Sequence, residues 1–168
     1  MSKVETGKGT AQKITPFLWF DDKAEEAVNL YVSIFKNSRI TGTTHFSEAV
    51  PGPKGKVMLV NFELEGQPFM ALNGGPGVFT FSGAISFHVN CDTQEEVDHF
   101  WEKLTEGGES QRCGWLKDRY GVHWQIVPTI LGELLGDPDP EKAGRVTQAM
   151  LQMDKLDIQG LKQAYEAP

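Results

Sequence analysis

One order of elements occurs twice in this chain. Asp22-Lys23-Ala24-Glu25-Glu26 aligns with Asp92-Thr93-Gln94-Glu95-Glu96, and Leu30-Tyr31 with Phe100-Trp101. Each acidic segment follows a short strand-like run and opens a helical one, and three further strand-like runs come after each helix. A degenerate duplication of this kind restricts the fold to two equivalent halves, one over about 14–75 and one over about 84–128.

In the first half, Ile14 to Phe20 alternates as a strand, with Pro16, Leu18 and Phe20 on one face and Thr15, Phe17 and Trp19 on the other. Asp21 and Asp22 offer a helix N-cap, and Ala24, Ala27, Val28, Tyr31, Ile34 and Phe35 recur at helical spacing until Asn37-Ser38. Arg39 to Ser47 is a Thr-rich, moderately exposed strand, and Pro51 to Gly55 is a loop. Strands over Lys56–Glu65 and Pro68–Asn73 meet in a tight turn at Gly66-Gln67.

The second half follows the break at Gly74 to Gly77. Its first strand sets Ile85, Phe87 and Val89 against Ser86, His88 and Asn90. Thr93 to Glu96 reads as a capping box, with Val97, Phe100, Trp101 and Leu104 as the helical stripe and Gly107-Gly108 as its end. Cys113 to Pro128 is a hairpin. Trp115-Leu116 ends one strand, Asp118-Arg119-Tyr120-Gly121 turns, and Val122 to Val127 returns until Pro128 stops it. From Thr129 to Pro168 the pattern is helical. Asp139-Pro140 starts a helix striped by Val146, Met150 and Met153, and Asp157 starts another with Ile158, Leu161 and Tyr165 inward. The Met stripe is a packing surface for a sheet edge or a partner subunit.

Charge decides which partners fit. With a net charge of −7 and a pI near 5.1, the surface lacks the clustered Lys and Arg that phosphate backbones or anionic lipids require, so neither nucleic acid nor membrane is expected. No stretch approaches the roughly 18 apolar residues of a membrane span. Cys91 and Cys113 have no metal-ligand or redox spacing and read as free buried thiols, which fits a cytoplasmic location. Residues 1–13 have almost nothing to bury and are expected as a frayed leader.

After that leader the chain resembles the PhnB-like branch of the vicinal oxygen chelate superfamily, relatives of glyoxalase, bleomycin-resistance and extradiol dioxygenase proteins. The likeness rests on Ile14 to Phe20, Phe69 to Pro76, Cys113 to Pro128 and Asp137 to Ala143 with the helix after it. The resemblance implies an α+β fold: two βαβββ modules forming an open curved β-barrel with flanking helices. The vicinal oxygen chelate domain would span 14–128, with a C-terminal helical extension over 129–168 and a homodimer usual. Members of the branch carry the label 3-demethylubiquinone 3-methyltransferase.

Enzymes of that superfamily hold a divalent metal on His and Glu side chains from the first and last strands of their modules. The positions carried over here are Thr15, Ala84, Asn73 and Gln125, and neutral amides are weak ligands for such ions. The expectation is therefore no metal, no cofactor, and a small organic ligand in the barrel. Phe17 and Trp19 would line that site together with Asn73, His88, Trp115, Lys117 and Gln125, aromatic planes with a few aimed polar groups. His88 is the sharpest candidate, because a His on the non-helix face of a half-buried strand must find a hydrogen-bond partner. His45, His99 and His123 are placed less well, on a strand edge, a helix exterior and beside a turn. No catalytic group is assigned. A metal-dependent glyoxalase or dioxygenase and the named methyltransferase are the alternatives. Against the latter, Gly74 to Gly77 leads into Val78 to Gly83, which does not start a helix as a dinucleotide-type site requires.

Overall fold

The computed structural model of the protein describes residues 12–168, so the expected leader lies, through residue 11, outside the described residues. These residues divide into two compact units, the first ending at Phe79 and the second beginning at Thr80. Both are built as βαβββ modules in an α+β fold, and their strands form two four-stranded sheets rather than one closed ring.

The first unit runs β1 (Phe17–Phe20), α1 (Ala24–Ile34), β2 (Arg39–His45), β3 (Val57–Leu64) and β4 (Gln67–Asn73). Its sheet order is β1-β4-β3-β2, with β1 and β4 parallel and the other pairs antiparallel. Strand alternation turns Leu18, Phe20, Phe69, Ala71, Val60 and Phe62 inward, while the helical stripe of Ala24, Ala27, Val28, Tyr31 and Ile34 is buried from the other side. Full burial of each large side chain among these contributes about 1.5–3 kcal/mol.

Two local expectations change. Leu64 pairs with Gln67, so the β3–β4 turn is Glu65-Gly66, one residue earlier than read from the sequence. Both turn residues have positive φ, 47° and 81°, the hand that matches the twist of the flanking strands. The Glu65 carboxylate accepts from Asn37 Nδ2 at 3.0 Å, a tether that accompanies its unusual backbone. At α1, Lys23 occupies the N-cap and makes no capping bond; neither Asp21 nor Asp22 caps the helix. The Ala24 N–H instead donates to Asn73 Oδ1 at 2.8 Å, from the end of β4.

The second unit repeats the order with β5 (Phe87–Cys91), α2 (Gln94–Thr105), β6 (Glu109–Ser110), β7 (Trp115–Lys117) and β8 (His123–Pro128), arranged β5-β8-β7-β6. The helices correspond residue for residue: Ala27, Tyr31 and Ile34 of α1 match Val97, Trp101 and Leu104 of α2. Their strands do not, because Asp21 to Lys23 joins β1 to α1 while only Asp92-Thr93 joins β5 to α2. That one-residue difference inverts the strand faces when the helices are aligned. The capping box forms: Thr93 Oγ1 accepts from Glu96 N–H at 3.3 Å, and Glu96 Oε2 reaches back to Asp92 N–H at 2.7 Å.

Beyond β8 come α3 (Ile130–Leu135), α4 (Pro140–Leu151) and α5 (Ile158–Glu166). Asp139, with Pro140 at the first helical position, caps α4, and Asp157 caps α5. Leu131, Leu134, Val146, Leu156 and Leu161 make a buried cluster against which Met150, Met153 and Tyr165 pack. Arg145 donates to the Ala164 and Tyr165 carbonyls, both at 3.1 Å, satisfying the C-terminal end of α5. No helix among the described residues is long and apolar enough to cross a membrane.

Candidate functional site

Helix α2 packs on one side of the second sheet, where Leu116, Trp124 and Ile126 are buried. Strand alternation sends their neighbours to the opposite face. There Trp115 stands opposite Gln125, and Gln125 stands opposite His88, so indole, amide and imidazole form one in-register row across β7, β8 and β5. Lys117 and His123 form the next rung of the same face.

The polar groups of this face are held by neighbours. Gln125 Nε2 donates to Ser86 Oγ at 2.9 Å, which fixes the amide and turns Oε1 into the available acceptor. His88 Nε2 lies 3.2 Å from Asn90 Oδ1; with the proton on Nε2, His88 donates there and keeps Nδ1 as an acceptor. The imidazole is exposed. Lys117 Nζ pairs with Glu109 at 2.6 Å, and that ammonium holds the Glu109 carboxyl below its ordinary value of 4.5. His123, which the sequence reading set aside as turn-proximal, belongs to this face, and its Nδ1 is buried without a hydrogen-bond partner. Its i, i+2 spacing from Gln125 on one strand was the available signal.

The hairpin carrying these groups is braced from beneath. Asp118 is only 2% exposed, although it opens the turn. Its Oδ1 accepts from Tyr120 N–H at 2.9 Å and Val122 N–H at 3.0 Å, and its Oδ2 accepts from the Trp124 indole at 2.9 Å. Three donors replace the lost hydration of the carboxylate.

In the first unit, Phe17 and Trp19 share a face, opposite Met70 and Leu72. Phe17 is 52% exposed. Trp19 is more constrained: its Nε1 donates to the Gly75 carbonyl at 3.1 Å, and its ring meets Phe79 edge-on with centroids 5.2 Å apart. Asn73 stands opposite Phe20 and so lies on the helix face, away from Phe17 and Trp19. Both ends of its amide are engaged, Oδ1 by Ala24 N–H and Nδ2 by the Val57 carbonyl at 3.0 Å. A recess of about 980 Å³ opens nearby, lined by Asp21, Asp22, His45, Phe46, Lys56 and Asn73 among others; the sequence reading did not anticipate it.

A divalent metal does not fit the groups present. Among the described residues, no three His, Cys, Asp or Glu side chains come together in a set that could hold one. Thr15 and Ala84 precede β1 and β5, and by register the first unit's counterpart of Gln125 is Met70 rather than Asn73. A thioether and an amide are poor donors for a hard or borderline cation. Both cysteines are free. Cys91 is fully buried, and burial pushes its thiol up to about 12, so it stays protonated; Cys113 is half-buried rather than buried as expected.

Paired βαβββ modules of this topology define the vicinal oxygen chelate class of fold. The family model for 3-demethylubiquinone-9 3-methyltransferase matches residues 12–127. Among solved structures, the PhnB protein from Bacillus cereus is 40% identical with a TM-score of 0.66, over 70% of this chain and 100% of that one. Protein PA1353 from Pseudomonas aeruginosa is 24% identical with a TM-score of 0.60, over 70% of this chain and 98% of that one, which shows the shared fold. No curated protein matches. The chain belongs to the PhnB-like, 3-demethylubiquinone-9 3-methyltransferase family.

Proposed function

We propose that this chain binds a small hydroxylated aromatic molecule on the face of its second sheet opposite α2, without a metal ion, and does so as a cytoplasmic homodimer. The observation that carries the reading is the Trp115–Gln125–His88 row. An indole offers a plane on which an aromatic ring stacks, while Gln125 Oε1 and His88 Nδ1 are acceptors suited to ligand hydroxyl groups. Lys117 and His123 at the adjacent rung favour a hydroxyl that ionises. The family's name brings a hydroxylated quinone ring into the same chemical class.

The name also brings methyl transfer. Each sheet here contains one parallel pair, and Gly74 to Gly77 is followed by turns and extended chain, unlike the doubly wound parallel sheet with a glycine-rich turn that ordinarily holds a nucleotide-like cofactor. Ligand binding is the reading these groups support.

The test is titration calorimetry with catechol and with a hydroxyquinone, on wild type and on His88→Ala and Gln125→Ala. Loss of one hydrogen bond to an ionisable hydroxyl should weaken binding about tenfold in each variant, with circular dichroism unchanged. Wild-type affinity in both variants contradicts the site. Near-stoichiometric zinc, manganese, nickel or iron in purified protein contradicts the metal-free part, saturable binding of S-adenosylmethionine favours the methyltransferase reading, and a monomer in sedimentation contradicts the dimer.

A further inference from the structure

The family match ends at residue 127, and the Bacillus cereus relative is covered over its whole length by 70% of this chain. Helices α3 to α5 lie beyond the part that the family model matches, and the structure gives them a task. The β6–β7 hairpin is short: β6 pairs with Leu116 and Lys117, Gln111 N–H donates to the Trp115 carbonyl at 2.9 Å, and the chain turns over at Arg112 to Gly114. Upstream of that pairing, Cys113 N–H donates to the Met153 carbonyl at 2.8 Å and Gly114 N–H to the Asp154 carbonyl at 2.7 Å. On its other side Gly114 accepts from Ile126 N–H of β8 at 2.8 Å.

Residues 153–154 therefore hold the turn that leads into β7 through two backbone hydrogen bonds. Side chains secure them. Arg112 donates to the Gln152 carbonyl at 3.1 Å and pairs with Asp154 at 3.5 Å. Gln94 of α2 donates to the Leu156 carbonyl at 3.2 Å and accepts from Ile158 N–H at 2.8 Å, and Lys155 pairs with Asp98 at 2.6 Å. Leu156 itself is fully buried.

The turn under this strap is one that needs holding. Cys113 and Gly114 have φ of 60° and 81°, and for a non-glycine residue such as Cys113 that region is unfavourable. A Cβ on Gly114 would lie 2.6 Å from the Ile126 carbonyl oxygen and 3.0 Å from Leu156. The next residue is Trp115. We propose that the 152–158 strap is a positioning element for the ligand face, fixing the Arg112–Gly114 turn and through it where β7 presents Trp115 and Lys117.

This rests on the ligand-face reading, and the test separates the two. Full-length protein labelled with 5-fluorotryptophan gives signals from Trp19, Trp101, Trp115 and Trp124, assigned by single Trp→Phe replacements. In Gln94→Ala and in Arg112→Ala the Trp115 signal should shift and the Trp115–Lys117 amides should exchange with solvent about tenfold faster, while Trp19 and the β3 amides keep wild-type values. Catechol affinity should fall about threefold in both variants. A lowered denaturation midpoint with an unmoved Trp115 signal overturns the proposal, leaving the strap a stabiliser only. Arg112 is largely exposed, so its variant keeps the test open where Gln94→Ala does not fold; loss of folded protein in both variants also overturns it. Should wild type not bind catechol, the ligand reading fails while the fluorine signal still decides placement.

Discussion

The two modules share one topology and are held together differently. In the first, an edge strand of seven residues, β2, runs beside the eight-residue β3, and the sheet's strand pairs are all made within the module. In the second, the corresponding strands have two and three residues, and chain from beyond the module hydrogen-bonds to the turn between them. The hairpins differ in the same way. Glu65-Gly66 is an exposed turn stabilised by backbone geometry, whereas Asp118 to Gly121 folds over a buried carboxylate. A duplicated fold thus preserves strand order while the means of stabilisation drift, and the module relying on buried polar groups and an added strap is the one presenting the aromatic and polar row.

The comparison predicts unequal responses to mutation. The largest should come from Asp118→Ala, which strands the Tyr120 and Val122 amides and the Trp124 indole in the interior; a loss of about 3–5 kcal/mol in chemical denaturation is expected. A loss below about 1 kcal/mol would erase the contrast between the hairpins. Leu156→Ala should follow, at about 2–4 kcal/mol, because it empties the centre of the cluster that seats the strap. Asn73→Ala removes the borrowed cap of α1 together with the bond to Val57 and should cost about 1–2 kcal/mol, while Thr93→Ala, removing the local cap of α2 on a more exposed side chain, should cost about 1 kcal/mol or less. Equal losses would show that the origin of the cap is immaterial.

The smallest effect is on acid stability. Asp98 is held below its ordinary value of 3.8 chiefly by its hydrogen bond from Lys155, Asp137 below 3.8 chiefly by the Tyr165 hydroxyl, and Glu109 below 4.5 chiefly by Lys117. A carboxyl depressed on folding stabilises the fold fully well above its ordinary value and loses that contribution as pH falls through its lowered one. All three belong to the second unit, so amide exchange there should rise as pH is lowered beneath that range, by a modest amount because these pairs face solvent. Correction for the intrinsic pH dependence of exchange is part of the measurement, and a corrected rise confined to β2, β3 and β4 would run against it.

The doubling of the fold was open to reading because its markers are local: Thr93 and Glu96 cap within four residues, and Val97, Trp101 and Leu104 recur at helical spacing. The cap of α1 was not, since Asn73 reaches Ala24 from far along the chain, and the adjacent Asp21 and Asp22 looked sufficient. Alternation alone sets His88 on the non-helix face of β5 and Trp115 with Lys117 on one face of β7, whereas Gln125 enters through the family resemblance, at the position where relatives carry a metal ligand. The face that Asn73 takes is not legible in the sequence, because parity across strands depends on register, and it is the pairing with Phe20 that sets Asn73 on the helix face. In the sequence Asp118 reads as an ordinary turn residue; its burial follows from the Trp124 indole arriving over it, a contact no spacing rule announces.

The central claim is that the second unit's open face, not the acidic recess of the first, receives the ligand. Amide and indole shift mapping by two-dimensional NMR with catechol tests it most directly. The account predicts the largest perturbations at the Trp115 indole N–H, the Gln125 side-chain amide and the His88 backbone. Perturbations gathered instead at Asp22, Phe46 and Lys56, or none at millimolar catechol, would contradict it.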